Sequence, residues 1–363
     1  MQRPPAEVLH ARELAALHAD DDKSGAPKPP GWALSMQSVR RFILGDERLG
    51  IAGKFVGHPS LVDRAMVTLA TTRGLMLVGE PGTAKSLLSE LLAAAVSGTS
   101  TLTIQGGASL TEDQIKYSWN YALLVAEGPS LRALVPAPLY RGMQQGKVVR
   151  FEEITRCPIE VQDALLSMLS DRVLGVPELG DDDDNAMLYA QDGFNIIATA
   201  NTRDKGVNEM SAALKRRFNF ETVFPIPDFK TELDLVRRET DRLLDKSGVP
   251  TRPSEDLLHV LVTTFRELRA GETGDGHGME KLTTVLSTAE AVSVAHAVGV
   301  RGFYLRGDGG SAFDIVEHLA GTAAKDNKDD LKRLRAYLEQ RVGKRQGAQW
   351  QALYEARHHL PTG

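Results

Sequence analysis

The sequence predicts an α/β domain built on a five-stranded parallel sheet, followed by an all-α domain. Three observations carry that expectation. Five short apolar runs alternate with helix-forming segments up to residue 224. The first run leads straight into a glycine-containing turn and then a helix, the order of a β–loop–α unit. Beyond residue 228, apolar residues recur at helical spacing and strand signals almost vanish.

Composition sets the bounds. The 363 residues are 42% hydrophobic and 25% charged, which is ordinary for a globular chain with room for two domains. A net charge of −5 argues against a surface that coats nucleic acid or anionic lipid. Cys157 is the single cysteine, which excludes an internal disulfide and any cysteine-based metal cluster within one chain. No apolar run approaches the roughly 18 residues of a membrane span. The opening MQRPPAEVLH lacks the apolar core of a signal peptide, so the cytoplasm is the expected compartment.

Residues 6–18 read as a short amphipathic helix, and residues 20–31 (DDDKSGAPKPPG) as a polar, proline-rich linker or exposed arm. Residues 50–57 (GIAGKFVG) form a loop before a helix that begins near Ser60. It reads equally as a wall for a nucleotide base or as a plain interdomain turn. Residues 75–78 are a continuous apolar strand, as expected for one buried on both faces. Gly79, Glu80, Pro81, Gly82, Thr83, Ala84, Lys85 and Ser86 follow, read as G-x-x-x-x-G-K-[ST] through Gly79, Gly82, Lys85 and Ser86. An Ala- and Leu-rich helix over 87–96 completes the context of a phosphate-binding loop. Backbone N–H groups would face a β-phosphate, Lys85 would reach the β- and γ-phosphates, and the Ser86 hydroxyl would ligate Mg²⁺.

Residues 101–105 are the second strand, and 108–121 are helix-like. Apolar runs at 122–126 and 131–135 around Glu127-Gly128-Pro129-Ser130 predict a hairpin inserted in a helix. Residues 147–153 (KVVRFEE) form a third strand ending in two carboxylates. There Glu152 suits the Mg²⁺ shell and Glu153 the general base that polarises water. A helix is expected over 159–169, then a second hairpin from 172–179 and 186–190. Its tip, Asp181-Asp182-Asp183-Asp184-Asn185, reads as a solvated acidic turn, since sequential aspartates do not converge on one ion. Residues 194–201 (FNIIATAN) are the fourth strand. Asn201, uncharged at its end, could hold a water against a γ-phosphate. Leu214-Lys215-Arg216-Arg217-Phe218 is a basic helix end entering a fifth strand near 220–224, and Pro225 and Pro227 then break the chain. Helices are expected over 233–244, 257–268, 285–298 and 331–342, with a loop at 271–278. The expected domains are therefore 1–49 (helix and linker), 50–227 (core), 228–342 (helical) and 343–363 (a partly ordered tail with helix near 350–356).

With these motifs in this order, the sequence resembles the AAA+ ATPases, and more narrowly the MoxR group with its two hairpin insertions. GEPGTAKS at 79–86, GKVVRFEEITRCPIEVQDALLSML at 146–169, FNIIATANT at 194–202 and LKRRF at 214–218 carry the resemblance, which spans about 50–299. It implies a three-layer P-loop core with a helical lid. Gly79 to Ser86 resembles the Walker A loop, Glu152-Glu153 the Walker B acids, Asn201 the sensor 1 residue and Arg217 the arginine finger. ATP and Mg²⁺ are the implied cofactors. A hexameric ring is the implied assembly, acting as a chaperone-like remodeller beside a von Willebrand factor A domain protein. Two departures stand out. The first Walker B acid, an aspartate in the family, is Glu152, and Ser287-Thr288 is followed by Ala289 where the lid carries an arginine. Two other readings share the motifs. A helicase-type motor is opposed by the acidic tip, whose carboxylates would repel phosphates. A scaffold that binds ATP with little turnover would be consistent with both departures.

Overall fold

The computed structural model describes residues 4–180, 184–201 and 208–361. Their strands are β1 Gly74–Gly79, β2 Thr103–Gln105, β3 Tyr117–Trp119, β4 Leu134–Pro136, β5 Val148–Glu152, β6 Val173–Gly175, β7 Met187–Tyr189, β8 Asn195–Asn201 and β9 Phe218–Thr222. Five of them form one sheet in the order β2-β5-β8-β1-β9, every neighbouring pair parallel. The α/β expectation with a five-stranded parallel sheet and an all-α region after it is the architecture observed. The described residues divide into two compact units, Met1–Gly79 with Ala84–Val223, and Glu80–Thr83 with Phe224–Gly363.

In the first unit the central strands are buried because both faces are covered. Leu75, Met76 and Leu77 of β1 and Ile196, Ile197 and Ala198 of β8 are each fully enclosed. One face meets the helix Lys85–Ser97, whose Leu88, Leu91, Leu92 and Val96 join Leu75 and Leu77 in a core. The other face carries Met76, Val149, Phe151 and Ile196 into a second core with Leu139, Met143 and Leu165.

Several local expectations are corrected. The helix expected at the amino end is two, Ala6–Leu9 and Ala11–Ser24, and the second takes in the first five of the twelve residues of the expected linker. Asp21 in its last turn is buried and accepts from Ser35 N–H and Oγ and from Ser38 Oγ, at 2.6–2.7 Å. Asp21 is thus a docking point, while Asp22 beside it stays exposed as expected. The first inserted hairpin pairs β3 with β4, and residues expected to form its strand are instead the helix Tyr121–Glu127 between them. The Asn120 side chain caps that helix on Leu123 N–H, and Gly128 ends it in a positive-φ conformation. The helix expected over 159–169 breaks into Ile159–Asp163 and Leu166–Ser170. β6 and β7 form the second hairpin, with Asp184 and Asn185 among its described residues. The rest of the acidic tip, residues 181–183, lies outside the described residues. The third and fifth strands end earlier than expected, at Glu152 and Thr222.

The second unit holds the helices Phe229–Lys246, Glu255–Ala270, Thr288–Arg301, Ala312–Leu319, Lys328–Gln340 and Ala348–Glu355 around Leu261, Phe265, Ile315, Leu334 and Leu338. Asp228, Ser254 and Ser287 cap three of them. The tail expected beyond 343 packs into the same core through Leu353 and Leu360. No helix among the described residues is long and apolar enough to cross a membrane.

Candidate functional site

In a parallel sheet every strand delivers its carboxyl end to the same edge, and here three adjacent strands bring the expected residues there. β1 runs into the loop that carries Lys85 and Ser86, β5 ends at Glu152, and β8 ends at Asn201, in register with Gly79. Lys85 is buried, with Nζ donating to the Gly79 carbonyl at 3.0 Å. Ser86 Oγ donates to Glu152 Oε2 at 2.7 Å. The pair expected to share a cation therefore meets directly.

The loop is not a complete match to its pattern. The residue before Lys85, where G-x-x-x-x-G-K-[ST] has its second glycine, is Ala84. Its φ is +65°, in the left-handed region, as is Gly82 at +74°. Alanine thus holds the backbone turn that glycine would adopt without cost. Glu153 is the second non-glycine residue of the site with positive φ, at +55°. It stands one residue past β5, in the turn after the strand and not within it.

Glu152 is the electrostatic centre. It is almost fully buried, which works against ionisation. Hydrogen bonds from Ser89 Oγ (2.6 Å), Ser86 Oγ and Thr199 Oγ1 (2.8 Å) and the charge of Arg150 (2.8 Å) outweigh that penalty. The carboxyl is held below its ordinary range as a result. Thr199 Oγ1 also accepts from the Glu153 N–H at 3.0 Å, tying the turn to β8. The Glu153 carboxylate is paired with Arg156 at 2.9 Å. Across the turn, Gly106 N–H donates to the Glu152 carbonyl at 2.7 Å, and a Cβ at Gly106 would lie 2.2 Å from the Glu153 carbonyl oxygen. Glycine is required for that approach.

Arg217 is not part of this cluster. It precedes β9, whose Phe218 is in register with Gly74, the opposite end of β1 from Gly79. At about 3.3 Å per residue, that separation along the sheet is roughly 20 Å. Its guanidinium is exposed and bonds Ser170 Oγ (2.8 Å) and the Ala213 carbonyl (3.2 Å). Sequence reasoning missed Arg150, Ser89 and Thr199. Arg150 had a signal, since residues two apart on a strand share a face and Arg150 precedes Glu152 by two.

Residues 74–218 match the AAA domain of the dynein-related subfamily, and residues 230–361 the YehL-like AAA+ ATPase C-terminal domain. The Escherichia coli (strain K12) protein YehL is 63% identical over 362 residues, which is 99% of this chain and 98% of YehL. The chain belongs to the YehL family of AAA+ ATPases. The MoxR-type resemblance extends from there. Chaperone MoxR1 of Mycobacterium tuberculosis (strain ATCC 25618 / H37Rv) is 25% identical over 209 residues, 57% of this chain and 50% of MoxR1. Among solved structures, NtrX from Brucella abortus superposes with a TM-score of 0.50 at 15% identity, over 84% of this chain and 61% of NtrX, a likeness of fold.

Proposed function

We propose that this chain hydrolyses ATP to ADP and phosphate in a homo-oligomeric ring, hexameric as the resemblance implies. Its output is chaperone-like remodelling of a partner protein or complex, with a von Willebrand factor A domain protein as the expected partner. The observation that carries the reading is the convergence of Lys85, Ser86, Glu152 and Glu153 at the carboxyl edge of the sheet. Hard oxygen donors from a hydroxyl and an ionised carboxylate suit Mg²⁺, and a buried ammonium suits a polyphosphate. The residues present therefore fit Mg–ATP.

Gly79 to Ser86 would cradle the phosphates through backbone N–H groups, with Lys85 on the β- and γ-oxygens. Ser86 and Glu152 would hold the Mg²⁺ shell, whose charge offsets that of the phosphates. Glu153 would take the proton of the attacking water, which requires its carboxylate to leave Arg156. Asn201 would orient that water without repelling the γ-phosphate. Arg217 would serve a neighbouring subunit's site.

Calorimetry with Mg–ATP tests the core of this. Lys85→Ala should lose most of its affinity, and an unchanged affinity in a folded variant sinks the reading. Glu153→Gln should still bind ATP yet turn it over at least about 10²-fold more slowly. Wild type as slow as Glu153→Gln would favour the nucleotide-gated scaffold, the reading consistent with Glu152 and the absent lid arginine. Strong stimulation by single-stranded DNA would favour the helicase-type motor.

A further inference from the structure

Arg150 ties together three elements around the acid that departs from the family pattern. Its Nη2 donates to Glu152 Oε1 (2.8 Å) and to the Ser86 carbonyl (3.2 Å). Nε donates to Ser89 Oγ (3.0 Å), while Nη1 reaches the Ser100 carbonyl (3.2 Å) and Thr103 Oγ1 (3.4 Å). The guanidinium thus joins β5, the helix that follows the phosphate loop, and the approach to β2. Ser89 Oγ in turn donates to Glu152 Oε1 at 2.6 Å.

The two oxygens of Glu152 are therefore divided. Oε1 is engaged by Arg150 and Ser89, and Oε2 is turned toward Ser86 and Thr199. Glutamate carries one methylene more than aspartate, with one more torsion to fix. Both charged side chains of the pair are nearly buried, at 11% and 7% exposure, so each alone would be a costly unpaired charge. The arrangement fixes which oxygen of the longer acid faces the Ser86 hydroxyl.

We propose that Arg150, with Ser89, is a positioning pair that holds the long Glu152 side chain so that only Oε2 is presented to the cation beside Ser86. The inference rests on the nucleotide reading above and specifies how a glutamate does the work of the shorter acid. Neither Arg150 nor Ser89 touches nucleotide in this scheme. They act through Glu152, much as outer-shell partners orient metal ligands.

Binding of Mn²⁺ to the ADP complex of the full chain, followed by the electron paramagnetic resonance of free Mn²⁺, reads this without turnover. Arg150→Gln should weaken Mn²⁺ about tenfold while leaving metal-free ADP affinity within about twofold. Glu152→Asp removes the torsion that needs restraint, so Arg150→Gln in the Glu152→Asp background should cost about twofold or less. Ser89→Ala, a milder change, should give the same pattern at smaller amplitude and serves if Arg150→Gln does not fold. Equal losses in the Glu152 and Glu152→Asp backgrounds, or unchanged Mn²⁺ affinity in folded Arg150→Gln and Ser89→Ala, would overturn the positioning role alone. Wild type that binds neither ADP nor ATP would overturn it together with the nucleotide reading.

Discussion

Ala84 shows what a single residue costs at the phosphate loop. A left-handed alanine is less favourable than its right-handed form by about 1–2 kcal/mol, whereas glycine adopts either freely. Glycine also gives the unfolded chain more entropy, which returns about 0.4–1 kcal/mol of that difference. Ala84→Gly should therefore be neutral to stabilising by up to about 1.5 kcal/mol, read as a small rise in melting temperature. Ala84→Val should behave oppositely, since a β-branched side chain tolerates positive φ poorly. We expect it to lower stability by at least ~1 kcal/mol and to impair Mg–ATP binding. A melting temperature equal to wild type for Ala84→Val would show that the turn is not strained. Glu153 shares the left-handed conformation, so two residues of one candidate site store backbone strain.

At the scale of elements, the helical unit is secured by buried carboxylates that cap and bridge. Asp330 is fully buried in the first turn of the helix Lys328–Gln340. Burial opposes its ionisation, but Thr283 Oγ1 and N–H, Thr284 N–H and Arg333 outweigh it and hold the carboxyl down to about 2. A depressed folded value means this stabilisation is complete above the ordinary range near 4. It is lost as pH falls through about 2. Asp330→Asn should melt earlier than wild type at pH 7. Its melting temperature should also fall less steeply between pH 4 and 2; parallel curves for the two proteins would refute the assignment. Such long-range partners explain where the sequence was legible. Leu75–Leu77 and Ile196–Ala198 are runs whose burial on both faces shows in the residues themselves, and GEPGTAKS and Glu152-Glu153 are contiguous. Asp21 looked solvated because Ser35 and Ser38, its partners, lie 14 and 17 residues further along the chain. Residues 122–126 looked like a strand because their helix leaves Tyr121 and Val125 exposed and so has no apolar stripe to read. Thr199 and Ser89 reach Glu152 only through strand register and helix placement, which no local pattern encodes.

Over the whole molecule, the position of Arg217 makes assembly part of the proposed chemistry. It stands at the far end of β1 from the loop of its own chain, so in the proposed scheme Arg217 would act on phosphate only in another copy's site. Arg217→Ala and Glu153→Gln should each be nearly inactive alone. Mixed in one ring, some boundaries join an intact Glu153 to a neighbour's intact Arg217, and activity should partly return. Tagged co-purification would verify the mixing. No recovery in verified mixed rings would exclude action between subunits, and full activity of Arg217→Ala would move attention to Arg216. The strand order has a further consequence, for the nascent chain. Among the described residues β1 pairs with β8 and β9, which are translated long after it. At ~5–20 residues per second, the wait is on the order of ten seconds. Through that interval Leu75, Met76 and Leu77 have no sheet to enter, and the loop that follows them cannot be held in shape. Emergence of residue 201, the end of β8, rather than completion of β1, sets the earliest moment at which this chain can have a nucleotide site.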